Sequence, residues 1–568
     1  MNARTTSPNR TGIQPSPASA TSSAGLSIGA YLINRLQDYG IDDVFGIPGD
    51  YVLSFYSMLE SSPLNVYGCT REDCAGFAAD GYARLRGMGA VCVTYCVGGL
   101  SLCNSIAGAF AEKSPVVMLT GSPGMSERLN SPLLHHMVRD FHTQIEVFEK
   151  LCIAVTELSD PTVAFREIDR VLDACARYKR PVYIDIPRDM VHVIPDAIYP
   201  YHLPHANSEP QVVEEAVSEA ARLLSAAERP VILAGVELHR FGLQDALIEL
   251  AEQTNIPVAS TLLGKSVIRE THPLCLGIYE GALGKQEVTE FVEESDLILL
   301  LGTFMTDLNL GVFTANLDPN KCIYATSEQL RIRYHHYHNV PLDEFLIQLR
   351  KQPLTRSTRA VPDWADKQVA PFNVVAEAQI SIMRLIDYLN TKLDDETIVI
   401  ADIGDSLFAA TELISRGRTE FLSAAYYTSM GFSVPASVGA HVACPEKRVV
   451  VICGDGAFQM TGMELSTSIR NGFAPIVIVL DNQGYGTERF LHEGVWKYND
   501  IHGWEYSQLT SVLRGGRGYD IRTESQFIEA IEQAWNDRSV LSLLHVRLSS
   551  SDSSETLQRL GERLKLRV

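Results

Sequence analysis

Two short segments of this 568-residue sequence carry residues able to do chemistry together: Gly454-Asp455-Gly456 and Asp481-Asn482-Gln483-Gly484. Each follows a continuous apolar run, over 449–453 and 476–480, that reads as a buried strand, so each lies at a strand's carboxyl end, where open α/β sheets place ligands. Glycines there let the backbone approach a phosphate, while Asp455, Asn482 and the backbone carbonyl of Gly484 offer hard oxygens suited to Mg²⁺. Together with two oxygens from a diphosphate and one water they would complete the octahedron that Mg²⁺ prefers. A Gly-Asp-Gly alone is more often only a tight turn. Two strand tips bearing Asp and Asn, a helix's length of chain apart, point instead to a metal and diphosphate site. A third strand tip, Val44-Phe45-Gly46 running into Ile47-Pro48-Gly49-Asp50, makes Asp50 a further site candidate.

The elements that must position these residues are of α/β type. The spacing predicts a first helix from Ser27 to Tyr39, with Ser27 as N-cap and Gly40 just beyond its end. A strand over 90–95, a Gly98-Gly99 turn, a small-residue helix and a strand over 116–120 then follow in βαβ order. Further strands are expected over 231–234, 258–260, 297–301 and 322–324, and again over 398–401, 449–453, 476–480 and 543–546. The fold class is therefore three doubly wound parallel-sheet domains, at 26–200, 211–350 and 372–568, after a disordered tail at 1–25, with linkers at 200–210 and 351–371. The middle domain lacks G-x-G-x-x-G and reads as structural. The first and third share a similar rhythm of strands and helices.

Composition narrows the partners. With 46% hydrophobic and 21% charged residues the chain falls in the globular range. Its net charge of −21 opposes phosphate backbones, so no nucleic-acid partner is expected. No apolar run approaches the roughly 20 residues that span a bilayer, so no membrane partner is expected either. The 11 cysteines are scattered without a C-x-x-C and read as reduced core thiols. Residues 1–25 contain Arg4 and Arg10 and no acid, but no amphipathic stretch precedes Leu26, so a cytoplasmic location is preferred to organelle targeting.

The G-D-G and D-N-x-G pair resembles the thiamine-diphosphate motif of the pyruvate and indolepyruvate decarboxylase family. The likeness runs through Phe45 to Asp50, Ala78-Ala79-Asp80-Gly81-Tyr82-Ala83-Arg84, Leu133-Leu134-His135-His136 and Gly484-Tyr485-Gly486-Thr487-Glu488. It implies thiamine diphosphate and Mg²⁺ as cofactors, a 2-oxo acid as substrate, and decarboxylation to an aldehyde through an enamine. It also implies a cofactor lying between two subunits, hence a homodimer at minimum and a homotetramer as the expected assembly. Carried over residue by residue, it assigns Glu72 to the pyrimidine ring and Asp50, His135, His136 and Glu488 to proton transfer. Met430 becomes the bulky residue under the cofactor. Asp405, Ser406, Gly454, Asp455, Gly456, Ala457, Asn482, Gly484 and Tyr485 are cofactor-binding, with Asp455, Asn482 and Gly484 as metal ligands. Thr487, Leu491 and Phe408 would line the substrate pocket.

The sequence departs from that pattern in places. Asp481 stands where the family more often has Asn, and Ala457 where it has Ser. The two-cysteine activation element of some relatives is replaced around 236–238, which predicts hyperbolic saturation. Thr487 is smaller than the Ile of pyruvate-preferring relatives, which favours aromatic or branched-chain 2-oxo acids, with pyruvate retained as a substrate. An acetolactate-synthase-like carboligase is the main alternative, disfavoured by Asp50 and the His135-His136 pair. An inactive α/β scaffold is the other, disfavoured because every acid, base and metal position is kept. The tail 554–568, with Leu557, Leu560 and Leu564 at helical spacing, is expected to dock on the surface or close over the site.

Overall fold

Three sheets built from 19 strands organise the chain in a computed structural model that describes residues 25–202, 208–365, 369–417, 420–492 and 494–564. The expected tail at 1–25 lies outside these residues except for Gly25, as do residues 203–207 and 366–368 of the two expected linkers, the side chain of Leu564 and everything after it. The first sheet holds β1 (Asp43–Gly46), β2 (Asn65–Gly68), β3 (Gly89–Val93), β4 (Val116–Ser122), β5 (Ala154–Glu157) and β6 (Val182–Pro187), in the order β2-β1-β3-β4-β6-β5. All its pairings are parallel.

The second sheet contains β7 (Pro230–Ala234), β8 (Val258–Ser260), β9 (Cys275–Ile278), β10 (Leu297–Leu301), β11 (Cys322–Ala325), β12 (Leu330–Ile332) and β13 (His335–Tyr337). Its last two strands pair antiparallel, so this sheet is mixed where an all-parallel one was expected. The reason is local. A tight turn at Ser327 to Gln329, closed by the Thr326 amide donating to the Gln329 carbonyl and the Thr326 hydroxyl accepting from the Gln329 amide, sends the chain straight back beside β11 and leaves no room for a crossover helix.

The third sheet comprises β14 (Thr397–Ala401), β15 (Glu420–Leu422), β16 (Arg448–Gly454), β17 (Ile476–Asp481), β18 (Arg517–Ile521) and β19 (Ser542–Arg547). Its order, β15-β14-β16-β17-β19-β18, repeats that of the first sheet strand for strand. In both, the strand order reverses beside the first strand, and that crevice at the carboxyl ends is where a ligand fits. The first helix, Ile28–Asp38, begins at Ser27, whose side chain accepts from the Ala30 amide, and ends before Gly40 at φ +78°, as its sequence requires.

The first and third domains share a core. Helix Glu72–Arg86 crosses helix Ser433–Ala443 so closely that a Cβ on Gly439 would lie 1.9 Å from the Ala78 carbonyl oxygen, and one on Gly81 would lie 2.6 Å from that of Ala436. The buried Arg84 donates to Asp80, to Glu112 and to the Ser423 carbonyl. The run Ala78 to Arg84 is therefore the packing face between two domains. Among the described residues no helix is long and apolar enough to cross a membrane. Eight of the cysteines are buried and three half-buried.

Candidate active site

At the tips of β16 and β17 the two glycine-rich segments meet. The Asp455 carboxylate accepts from the Gly456 amide at 2.8 Å and from the Gly484 amide at 3.0 Å, tying one tip to the other. Its carboxyl is pushed up, first by burial and then by the neighbouring Asp481, while Asp481 itself is held low because it is paired with the buried His545 at 2.6 Å. The amide oxygen of Asn482 is buried and has no hydrogen-bond partner. The Gly484 carbonyl accepts from the Gly486 amide at 3.0 Å and keeps its second lone pair. This is an oxygen-rich cluster short of positive charge, and a divalent cation with hard-oxygen preference fits it. The glycines are needed for space: a Cβ on Gly484 would lie 2.0 Å from the Asn499 carbonyl oxygen, and one on Gly456 would lie 2.7 Å from the Tyr485 ring. Gly454 faces open space, and Ala457 is buried in the helix Asp455–Thr461 that follows.

Met430 approaches this cluster, its methyl 3.6 Å from where a Gly456 Cβ would stand. What holds it there is Asp402, which sequence reasoning missed. Asp402 follows β14, is fully buried, and accepts from the amides of Gly431 at 3.0 Å and Ser433 at 2.9 Å. An acid directly after an apolar run was the available signal, the same one that marks Asp455. The side chains of Asp405 and Ser406 both have partners within the protein. Asp405 accepts from the Ser554 amide at 2.9 Å and from its hydroxyl, and burial pushes its carboxyl up to about 6. Ser406 donates to the Asp402 carbonyl at 2.9 Å.

Ser554, held by Asp405, caps the C-terminal helix Glu555–Leu564 by accepting from the Leu557 amide at 3.1 Å, and Leu557 and Leu560 of that helix pack on Phe408, Phe490 and Leu491. The tail is thus docked against helix Gly486–Leu491, which carries Thr487 and Glu488. The Thr487 hydroxyl sits 3.4 Å from the position of a Cβ on Gly404, so this residue faces the turn after β14. Glu488 is exposed.

The second cluster lies at the tips of the first sheet. Gly49 packs directly on Thr94 beyond β3, where a Cβ would come within 2.5 Å, and this fixes the turn that presents Asp50. The loop after β4 brings His135 Nε2 to 2.6 Å from the Asp50 carboxylate. Since an ionised carboxylate only accepts, that ring nitrogen carries the proton. His136, at φ +66°, has a buried Nδ1 without a partner, and the three side chains lie within 4.8 Å of one another. Glu72 opens helix Glu72–Arg86 and is half-buried. The turn before it is held by the third domain, with the Thr70 amide and hydroxyl donating to the buried Glu464. Glu237, in the segment expected to replace an activation element, is buried and paired with Lys113 at 2.5 Å.

Three family models match the chain: the thiamine pyrophosphate enzyme N-terminal TPP binding domain at residues 26–146, the central domain at 217–343 and the C-terminal TPP binding domain at 402–546. An indole-3-pyruvate decarboxylase of Azospirillum brasilense is 34% identical over 94% of this chain and 97% of its own. Pyruvate decarboxylase 3 of Arabidopsis thaliana is 32% identical over 97% and 95%, and an alpha-keto-acid decarboxylase of Mycobacterium avium is 33% identical over 92% and 94%.

Proposed function

This chain belongs to the thiamine pyrophosphate enzyme family, and we infer that it is a thiamine-diphosphate- and Mg²⁺-dependent decarboxylase that converts a 2-oxo acid to an aldehyde and CO₂. Asp455, Asn482 and the Gly484 carbonyl would hold Mg²⁺ and through it the diphosphate, with Met430 and Tyr485 beside the rings and Glu72 of a neighbouring protomer at the pyrimidine. Thiamine diphosphate, when bound, supplies the nucleophilic carbon and the electron sink that let the substrate lose CO₂. The remaining chemistry is proton transfer by the chain's own residues. The former carbonyl carbon must gain a proton where CO₂ left, and the hydroxyl on that carbon must lose one as the aldehyde departs. Asp50, His135, His136 and Glu488 are the groups suited to both transfers.

The observation that carries this reading is the contact between Asp50 and His135. A carboligase has to spare the carbon for a second carbonyl compound, and a proton donor at that point works against it. Thr487, Leu491 and Phe408 would form the substrate wall, and the modest size of Thr487 supports aromatic and branched-chain acids as preferred substrates. CO₂ and aldehyde release from pyruvate, 2-oxoisocaproate, phenylpyruvate and indolepyruvate, compared as kcat/KM with cofactor and Mg²⁺ present, tests both points. Absence of CO₂ from all four contradicts the activity, and a clear preference for pyruvate contradicts only the pocket argument.

The assembly is a homodimer at least, and a pair of dimers is the expected form. Supporting this, the carboxyl-end faces of both outer domains expose apolar side chains, among them Leu133 at 91%, Val138 at 61% and Met460 at 48%. Sedimentation of the loaded protein gives the count. Buried thiols and the absence, among the described residues, of a spanning helix are consistent with a cytoplasmic enzyme, checked by cell fractionation.

A further inference from the structure

Asp50 and His135 are unusual in being both central to the proton chemistry and open to solvent in the protomer, with side chains 41% and 60% exposed. An exposed imidazole held by one carboxylate would swing about its side-chain bonds. What pins it is Tyr51, the next residue after Asp50, which is 2% exposed and lies in a small aromatic nest with Tyr95 and Cys96. Its ring stacks on His135 with centroids 4.8 Å apart and planes 21° from parallel, and meets His136 edge-on at 5.8 Å. The Arg188 guanidinium lies 5.1 Å from the centre of the same ring. The phenol hydroxyl lies 3.3 Å from His135 Nδ1 and 3.3 Å from the His135 backbone carbonyl oxygen.

We propose that Tyr51 is a positioning residue that holds the His135 ring in the same place in both of its charge states. With His135 neutral, Nε2–H donates to Asp50 and the bare Nδ1 accepts the Tyr51 hydroxyl proton. When Nδ1 gains a proton, Nδ1–H donates to the Tyr51 oxygen and the hydroxyl turns to the His135 carbonyl, at the same distance. One bond from Tyr51 to the ring therefore exists before and after the transfer, and the ring need not move. Burial and the nearby Asp50 both raise the phenol's pKa, which keeps Tyr51 a neutral donor throughout. The arrangement favours quick delivery of a proton to the carbon that has lost CO₂.

This inference rests on the decarboxylase reading, and the test separates the two. Tyr51→Phe keeps the ring stack and removes only the hydroxyl. In the cofactor-loaded enzyme, kcat for aldehyde release is expected to fall about five- to tenfold with KM within about twofold, since the bond acts on proton transfer and not on substrate binding. With added aldehyde as acceptor, the fraction of turnover ending as a 2-hydroxy ketone should rise, because a slower proton leaves the carbon longer for a second carbonyl compound. Tyr51→Leu, which also removes the stack, should lose more activity and shift the product ratio further. Wild-type kcat and product ratio in Tyr51→Phe would overturn the proposal. So would a loss in which KM and melting temperature move with kcat while the product ratio stays fixed, which marks a merely structural residue. If the unaltered enzyme releases no CO₂, the decarboxylase reading itself fails.

Discussion

The first and third domains are the same architecture put to opposite electrostatic use. Both sheets run in one strand order, and both place their chemistry at the carboxyl ends beside the point of reversal. In the third domain the acids Asp402, Asp455 and Asp481 are buried and locked by backbone amides or by His545, and the unpaired Asn482 oxygen completes an oxygen-rich site suited to a cation. In the first domain Asp50 and His135 stand in solvent, and the residue behind them, Tyr51, is buried. In the proposed function one half would hold a fixed charge, and the other would pass a mobile one. An exposed acid–base pair works best when water is excluded, so the open half calls for a cover, whereas the closed half calls for an ion.

The largest effect should come from the closed half. Asp455→Asn removes the carboxylate that joins both strand tips, and is expected to abolish Mg²⁺-dependent binding of thiamine diphosphate by calorimetry and to lower activity by at least about 10³-fold. Retained cofactor affinity would break the assignment of this half. His135→Ala, in the open half, should leave cofactor binding intact and lower kcat by about 10²–10⁴-fold, the usual range for a lost acid–base group. Loss of cofactor binding in that variant would erase the division of labour. Gly439→Ala tests what joins the halves. Its methyl would press on the Ala78 carbonyl, so about 1–3 kcal/mol of stability should be lost in chemical denaturation, with the two domains still unfolding together.

The smallest effect is one of pH. Asp455 must be ionised to bind metal, and burial beside Asp481 raises its carboxyl, so protons compete with Mg²⁺ at a higher pH than at an ordinary carboxylate near about 4. The affinity for Mg²⁺ should therefore weaken as the pH is lowered from about 8 toward 6, where an ordinary carboxylate would show no change. The sign in the metal-free protein follows. The folded state keeps a proton that the unfolded chain has already released, so this group lowers stability as pH rises above about 4, and metal binding removes that slope.

Much of this was legible in the sequence because it is local. Apolar runs ending in Gly-Asp-Gly and Asp-Asn-x-Gly mark strand tips wherever they occur, and Ser27 and Gly40 bound their helix by cap chemistry that needs no distant partner. Residues whose meaning comes from a remote segment were not legible. Asp402 matters through Gly431, His545 through Asp481, Glu464 through Thr70, and Tyr51 through a loop more than eighty positions away. The run Ala78 to Arg84 was visible as a motif, but its reason, the crossing of two helices from different domains, appears only when they are packed. Asp405 shows the converse: its position was foreseen, and the Ser554 contact that occupies it was not. The strands Leu330–Ile332 and His335–Tyr337 are three residues each, too short to show a period.

The central claim is that the ion-holding half of one protomer works with Glu72 of another. Glu72→Gln and Asp455→Asn, each inactive alone, can be combined in a heterodimer isolated through two different tags. A site shared between protomers leaves one of the two sites free of both substitutions, so the heterodimer should recover about half of the wild-type activity. If each protomer builds its own site, every site in the heterodimer carries one lesion, and an inactive heterodimer would contradict the account.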